Sequence, residues 1–148
     1  MNEINLTKDS TPQEVRDAWV AALRSGDYAQ GKRRLYRRID ETTGDYCCLG
    51  VLCDLAARVG LGEWQDSRHD GDGQVQDFVW GEHVEDSVLP VPVVLWSGLG
   101  SASPVVEMED GILTTLTVLN DSQGWDFNRI ADAIERKDWE RWAGGGPS

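Results

Sequence analysis

DYCCLGVLCDLAARVG, Asp45 to Gly60, is the stretch on which the fold turns. Cys48, Leu52, Leu55, Ala56 and Val59 recur at helical spacing, Asp45 is a residue type that caps helix starts, and Gly60 supplies a stop. A helix so strongly apolar on one side belongs at the centre of a core.

Working outward, the preceding segment repeats that grammar with clearer punctuation. Thr11 is a capping residue, Pro12 sits where a missing N–H costs nothing, Glu14 completes a capping box and Gly26 ends the run. Val15, Trp19, Ala22 and Leu23 form its apolar stripe. Tyr28 to Gly31 is then a connector, Arg34 to Arg38 has the period of a short strand or extended arm, and Glu41 to Gly44 reads as a turn.

Downstream of Gly60 the signals weaken. Gly62 to Gly81 is rich in Gly, Asp and Gln around Trp64, Phe78 and Trp80, and reads as a long loop with a strand. Leu89 to Leu99 suits either a proline-initiated helix or a buried strand. Val105 to Met108 and the turn Glu109-Asp110-Gly111 open a hairpin. The threonines of the next segment favour strand by propensity, yet Ile112, Leu113, Leu116 and Leu119 share a helical face, so it is assigned to helix. Asp126 caps a last helix with Phe127, Ile130, Ala131 and Ile134 inward, and Trp139 and Trp142 follow in a polar tail segment. The reading is one compact α+β domain, helix-rich with a few short strands, over 11–142, between a flexible N-terminus (1–10) and a flexible tail (143–148).

Composition limits the function. A chain of 148 residues with 40% hydrophobic and 27% charged residues can bury a core without metals or disulfides. A net charge of −12 argues against general nucleic-acid binding, which needs a broad basic face. Three cysteines, two of them adjacent, do not suit a disulfide scaffold. Met1 to Asp9 lacks signal-peptide character, and no apolar run approaches the roughly 18 residues of a membrane span, so a cytoplasmic protein without membrane contact is expected.

Against that acidic background, Lys32 to Arg38 reads KRRLYRR, five cations in seven positions with no acid among them. Arginines in such a segment can make bidentate, charge-assisted bonds to phosphate, with Tyr28 or Tyr36 to stack on a base. The competing reading pairs these cations with the protein's own surplus carboxylates, contacts each worth about 0–1 kcal/mol at a surface. Cys47, Cys48 and Cys53 do not have zinc-ligand spacing, and no Cys-His context marks a nucleophile. Core packing is the simpler role of Cys48 and Cys53, with Cys47 nearer the surface. The acidic stretch Asp66 to Asp86 with His69 and His83 could hold a metal for phosphodiester hydrolysis, but a solvated loop accounts for it more simply.

Two blocks, WVAALRSGDYAQGKRRL leading to DYCCLGVLCDLA, and LTVLNDSQGWDFNRIADAIE, resemble a family of small uncharacterised proteins encoded by tailed bacteriophages. The resemblance implies that Trp19, Tyr28, Gln30, Tyr46, Cys47, Cys48, Asn120 and Asp121 match the family's pattern. It also implies an infected bacterial cytoplasm as the setting and an anti-defence sponge as one possible type of activity. The functional expectation is a non-enzymatic, homo-oligomeric protein that sequesters a phosphate-bearing, nucleotide-type small molecule and uses no cofactor or metal. Its ligand-binding residues would be Tyr28, Gln30, Lys32, Arg33, Arg34, Tyr36, Tyr46, Asn120 and Asp121. The alternatives are an acidic inhibitor of a host protein, mimicking nucleic acid, and a metal-dependent nucleotide hydrolase. Exposed Trp139 and Trp142 would supply the subunit interface.

Overall fold

Thr11 opens the first helix through the reciprocal bonds its neighbours allow: its hydroxyl accepts from the Glu14 N–H at 3.2 Å, and the Glu14 carboxylate accepts from the Thr11 N–H at 2.8 Å. In the computed structural model, which describes residues 5–139, helix α1 runs Pro12–Arg24 and buries Val15, Trp19, Val20 and Leu23. The Trp19 indole donates to the Cys48 carbonyl at 2.9 Å, tying α1 to the central helix α2, Cys48–Arg58. Ahead of α1, Leu6 packs against the core and the Thr7 carbonyl accepts from Trp96 Nε1 at 3.0 Å.

Helix α2 starts at Cys48 with Cys47 as its N-cap, which corrects the expectation that Asp45 caps it. The reason lies in the sheet. Strands β1 (Ala29–Gln30), β2 (Tyr36–Arg38) and β3 (Gly44–Tyr46) pair so that β3 lies between the other two, parallel to β1 and antiparallel to β2. Asp45 is held extended by both neighbours and the helix cannot begin until that pairing ends. The Cys47 N–H then donates to the Leu35 carbonyl at 3.3 Å. This crossing leaves no room for a side chain: a Cβ on Gly50 would lie 1.7 Å from the Leu35 oxygen.

The segment expected to be mostly loop is a hairpin of β4 (Glu63–His69) and β5 (Gln74–Trp80), extended by β6 (His83–Glu85). The sheet order is β1-β3-β2-β5-β4, with β6 also paired to β5. Strand β4 is exposed almost throughout, so backbone pairing rather than alternating hydrophobicity holds it.

Leu89 to Leu99 resolves as helix α3, Val91–Ser97, begun by its prolines. The hairpin of β7 (Val105–Glu107) and β8 (Leu113–Thr115) takes the first half of the threonine-rich segment, and α4 (Leu116–Asp121) takes the second. The helix expected from Ile112 onward is therefore displaced. Ile112 and Leu113 are exposed, and Thr115 caps α4 by accepting from the Val118 N–H at 3.3 Å. Asp126 caps α5, Phe127–Arg136, as its position suggests. Trp139 is buried and donates to the Ile134 carbonyl at 2.9 Å, so it is not the exposed aromatic expected at a subunit interface. Trp142 and the 143–148 tail lie outside the described residues. The architecture is α+β, and among the described residues no helix is long and apolar enough to cross a membrane.

Candidate functional site

Cross-strand register places Tyr36 directly opposite Tyr46, and their rings stack at 4.3 Å between centroids and 4° between planes. Tyr28, arriving from the connector after α1, meets Tyr46 edge-on at 4.9 Å, while Trp64 of β4 meets Tyr36 in the same manner at 5.2 Å. The two outer rings of this row, Tyr28 and Trp64, share one carboxylate. Asp54 of α2 accepts from the Tyr28 hydroxyl at 2.6 Å and from Trp64 Nε1 at 3.1 Å, and Arg58 Nε stands 3.4 Å away. Burial, reinforced by the Asp54 charge, pushes the Tyr28 and Tyr46 phenols above their ordinary range, so both stay protonated.

Beside these tyrosines is an open cavity of about 940 Å³. Helix α1 forms one wall with Glu14, Asp17 and its alanine face, and the β2–β3 turn forms another with Asp40 and Glu41. Asp27 and Asp54 add two further carboxylates, against only two guanidinium groups, Arg38 and Arg58. Both guanidiniums are already engaged, Arg38 with Asp66 at 3.3 Å and Arg58 with Asp54. The lining is thus net negative, the opposite of the pocket expected from the basic segment.

A separate network fixes the loop between β1 and β2. Asn120, buried on α4, accepts at Oδ1 from Gln30 Nε2 at 2.9 Å and from the Cys48 N–H at 3.2 Å. Its Nδ2 donates to the Gly31 carbonyl and to Asp121 Oδ1, both at 2.8 Å. Gln30 Nε2 also donates to the Trp125 carbonyl at 2.8 Å, and Asp121 Oδ1 accepts from the Arg33 N–H at 2.9 Å. That last bond holds Arg33 at φ 73°, a left-handed backbone that a residue with a side chain adopts uncommonly. Every polar atom of the Asn120 amide is used inside the protein.

A family model described as a domain of unknown function, DUF8296, matches residues 11–138, from the cap of α1 to just beyond α5. The chain belongs to that family. No curated protein and no solved structure matches it.

In this DUF8296 chain the nine expected ligand residues fall into three groups. Tyr28, Tyr36 and Tyr46 line the cavity. Gln30, Asn120 and Asp121 belong to the loop-fixing network, with the Arg33 backbone. Lys32, Arg33 and Arg34 lie in the loop that this network holds and are not part of the cavity lining, and Arg34 is partly buried against Ser87 and Asp86. The ring of Tyr36 is already stacked on Tyr46 and meets Trp64 edge to face.

The basic segment and the acidic stretch turn out to answer each other. Arg34 lies 3.5 Å from Asp86, Arg37 grips Asp70 at 2.7 Å with Asp45 at 3.6 Å, and Arg38 reaches Asp66. The Asp70 carboxylate also accepts from the Asp72 and Gly73 N–H groups, and together with Arg37 these bonds hold its carboxyl down to about 2. Burial instead raises the neighbouring Asp45, with Arg37 opposing. Among the described residues only Lys32 and Arg33 of the five cations lack an ion pair.

All three cysteines are free and buried in the DUF8296 core, which corrects the expectation that Cys47 lies nearer the surface. Burial pushes the Cys47 thiol up to about 12 and raises Cys48 and Cys53 as well, which removes the thiolate that nucleophilic chemistry requires. Among the described residues no group of three His, Cys, Asp or Glu side chains is placed to hold a metal ion. Sequence reasoning passed over Asp54, Trp64 and the α1 carboxylates. Asp54 had one usable signal, as the only acid between Cys47 and Arg58.

Proposed function

We propose that this chain is a non-enzymatic binding protein that captures a cationic ligand in the cavity between α1, the β2–β3 turn and α2. The observation that carries the reading is the cavity's charge: six carboxylates line it with two guanidiniums, Arg58 is paired with one of the six, Asp54, and Arg38 with Asp66 outside the lining, which leaves five carboxylates without a cationic partner in the cavity. Cavities of this size fall within the range of ligand sites, and a net charge of −12 steers cations toward the protein over long range. Glu41 and Asp27 are exposed and make no ion pair among the described residues, so they are available to an incoming charge. Calorimetric titration with spermidine, a basic octapeptide, ADP-ribose and a cyclic dinucleotide tests the charge class. Binding of the cations, weakened by Asp17→Lys and Glu41→Lys, supports the reading, and binding of the anions alone overturns it.

A second reading rests on a different observation. Lys32 and Arg33 are adjacent, exposed and outside any ion pair among the described residues, and Arg34 Nε is buried without a hydrogen-bond partner. Those groups would suit a phosphate. Combined with the resemblance to phage proteins, they support sequestration of a nucleotide-type host signal by an oligomeric anti-defence sponge in the infected cell's cytoplasm. Loss of nucleotide binding in Arg33→Ala, with Glu41→Lys unaffected, is the outcome that selects this reading.

A further inference from the structure

We infer that the ligand of the acidic cavity is an extended basic segment of a partner protein, rich in arginine or lysine, rather than a single small cation. The inference rests on the proposed cation capture at this site and specifies its occupant.

The placement of charge argues for it. Asp54 is already taken by Tyr28, Trp64 and Arg58, and the other five carboxylates do not converge on one point but come from three places in the chain: Glu14 and Asp17 on α1, Asp27 in the connector, and Asp40 and Glu41 in the β2–β3 turn. A metal ion or a lone ammonium group needs ligands that close around it, and no three acidic, His or Cys side chains among the described residues do so. Charges spread along the walls of an open cleft match a ligand whose own charges are spread, with each pair made at the rim.

Size and surface point the same way. At about 940 Å³ the cavity is near the upper end of small-ligand sites, and it is open rather than enclosed. Its α1 wall carries Ala18, Ala21 and Ala22 between the acids, a low apolar surface on which the aliphatic stems of lysine and arginine can lie while their heads reach the carboxylates. Exposed rim charges chiefly raise association rate and select the partner's charge, so binding should be fast and salt-sensitive.

The test is fluorescence anisotropy of a labelled octapeptide of alternating Arg and Ala, with spermidine and an Asp-Ala octapeptide as comparisons. Glu82→Lys serves as a charge-matched control, since Glu82 is exposed in the β5–β6 turn and lies outside the cavity lining. The inference expects one peptide per chain, affinity at least tenfold above that of spermidine, and a loss of about tenfold in Asp17→Lys or Glu41→Lys, about 1.4 kcal/mol. Glu82→Lys should bind nearly as the parent does. If spermidine competes as well as the peptide, or if Glu82→Lys weakens binding as much as the rim changes, the peptide inference is overturned. In the first case capture of a cation in the cavity still stands. Absence of binding by both cations overturns the inference and the proposed function together.

Discussion

Tyr28 and Asp54 stand 26 residues apart in the chain and meet in a 2.6 Å hydrogen bond, phenol to carboxylate, in the lining of the acidic cavity. Because Trp64 donates to the other oxygen of the same carboxylate at 3.1 Å, one side chain of α2 positions groups from the connector and from β4. Asp54→Leu would leave both donors unsatisfied and Arg58 without its partner, at a cost of about 2–4 kcal/mol. Asp54→Asn keeps an acceptor and should lose about half of that. Urea midpoints of the two variants measure the difference, and equal midpoints would remove Asp54 from this role.

Asn120 is the corresponding hub for the loop that follows β1. Asn120→Ala orphans the Cys48 N–H, the Gly31 carbonyl and one bond of Gln30, for an expected loss of about 2–4 kcal/mol. Asn120→Asp retains the acceptor but gives up donation to Gly31 and sets a charge beside Asp121, so it should not restore the parent's stability. A variant within 0.5 kcal/mol of the parent, about the scatter of an ordinary surface change, would show that the network carries little.

The Arg37–Asp70 pair sets a pH dependence with a defined sign. The folded Asp70 carboxyl, held down to about 2, lies below its unfolded value near 3.9, so its contribution is present above pH 4 and is lost as the pH falls toward 2. Asp45, which burial raises, works in the opposite direction, and Asp70→Asn removes only the smaller contribution that the Asp70 charge makes to that rise. The stability gap between the parent and Asp70→Asn should therefore be widest near neutrality and shrink between pH 4 and pH 2. A gap independent of pH contradicts the assignment.

Thiol accessibility gives a direct check on the core. With all three cysteines buried and their thiols raised, a thiol reagent at pH 8 should label none in the native protein and three after unfolding in urea. Rapid native labelling of one cysteine would place it at a surface and reopen a chemical role for it.

Legibility followed locality. The ends of α1 and the start of α5 were readable because their caps lie within three residues of what they cap. Strand β4 was not, because Trp64 is its one large apolar residue and pairing with β5 does the rest. In the site, Tyr28, Tyr36 and Tyr46 were named in advance, yet for a phosphate ligand. The competing reading of KRRLYRR, pairing with the protein's own carboxylates, describes three of its five cations, since folding sets Arg34, Arg37 and Arg38 against Asp86, Asp70 and Asp66. Asn120 and Asp121 were picked out as members of a family pattern, and the contacts that employ them, to Gly31, Cys48 and Arg33, cross some 70 to 90 positions of chain.

The most direct test of cation capture is amide chemical-shift mapping of the isotope-labelled protein during titration with the basic octapeptide. The account predicts shifts concentrated in α1 from Glu14 to Ser25, at Asp27 and Tyr28, and from Asp40 to Gly44, with Lys32 to Arg34 little changed. Shifts confined to Lys32 to Arg34 and produced by a nucleotide instead of the peptide would contradict it.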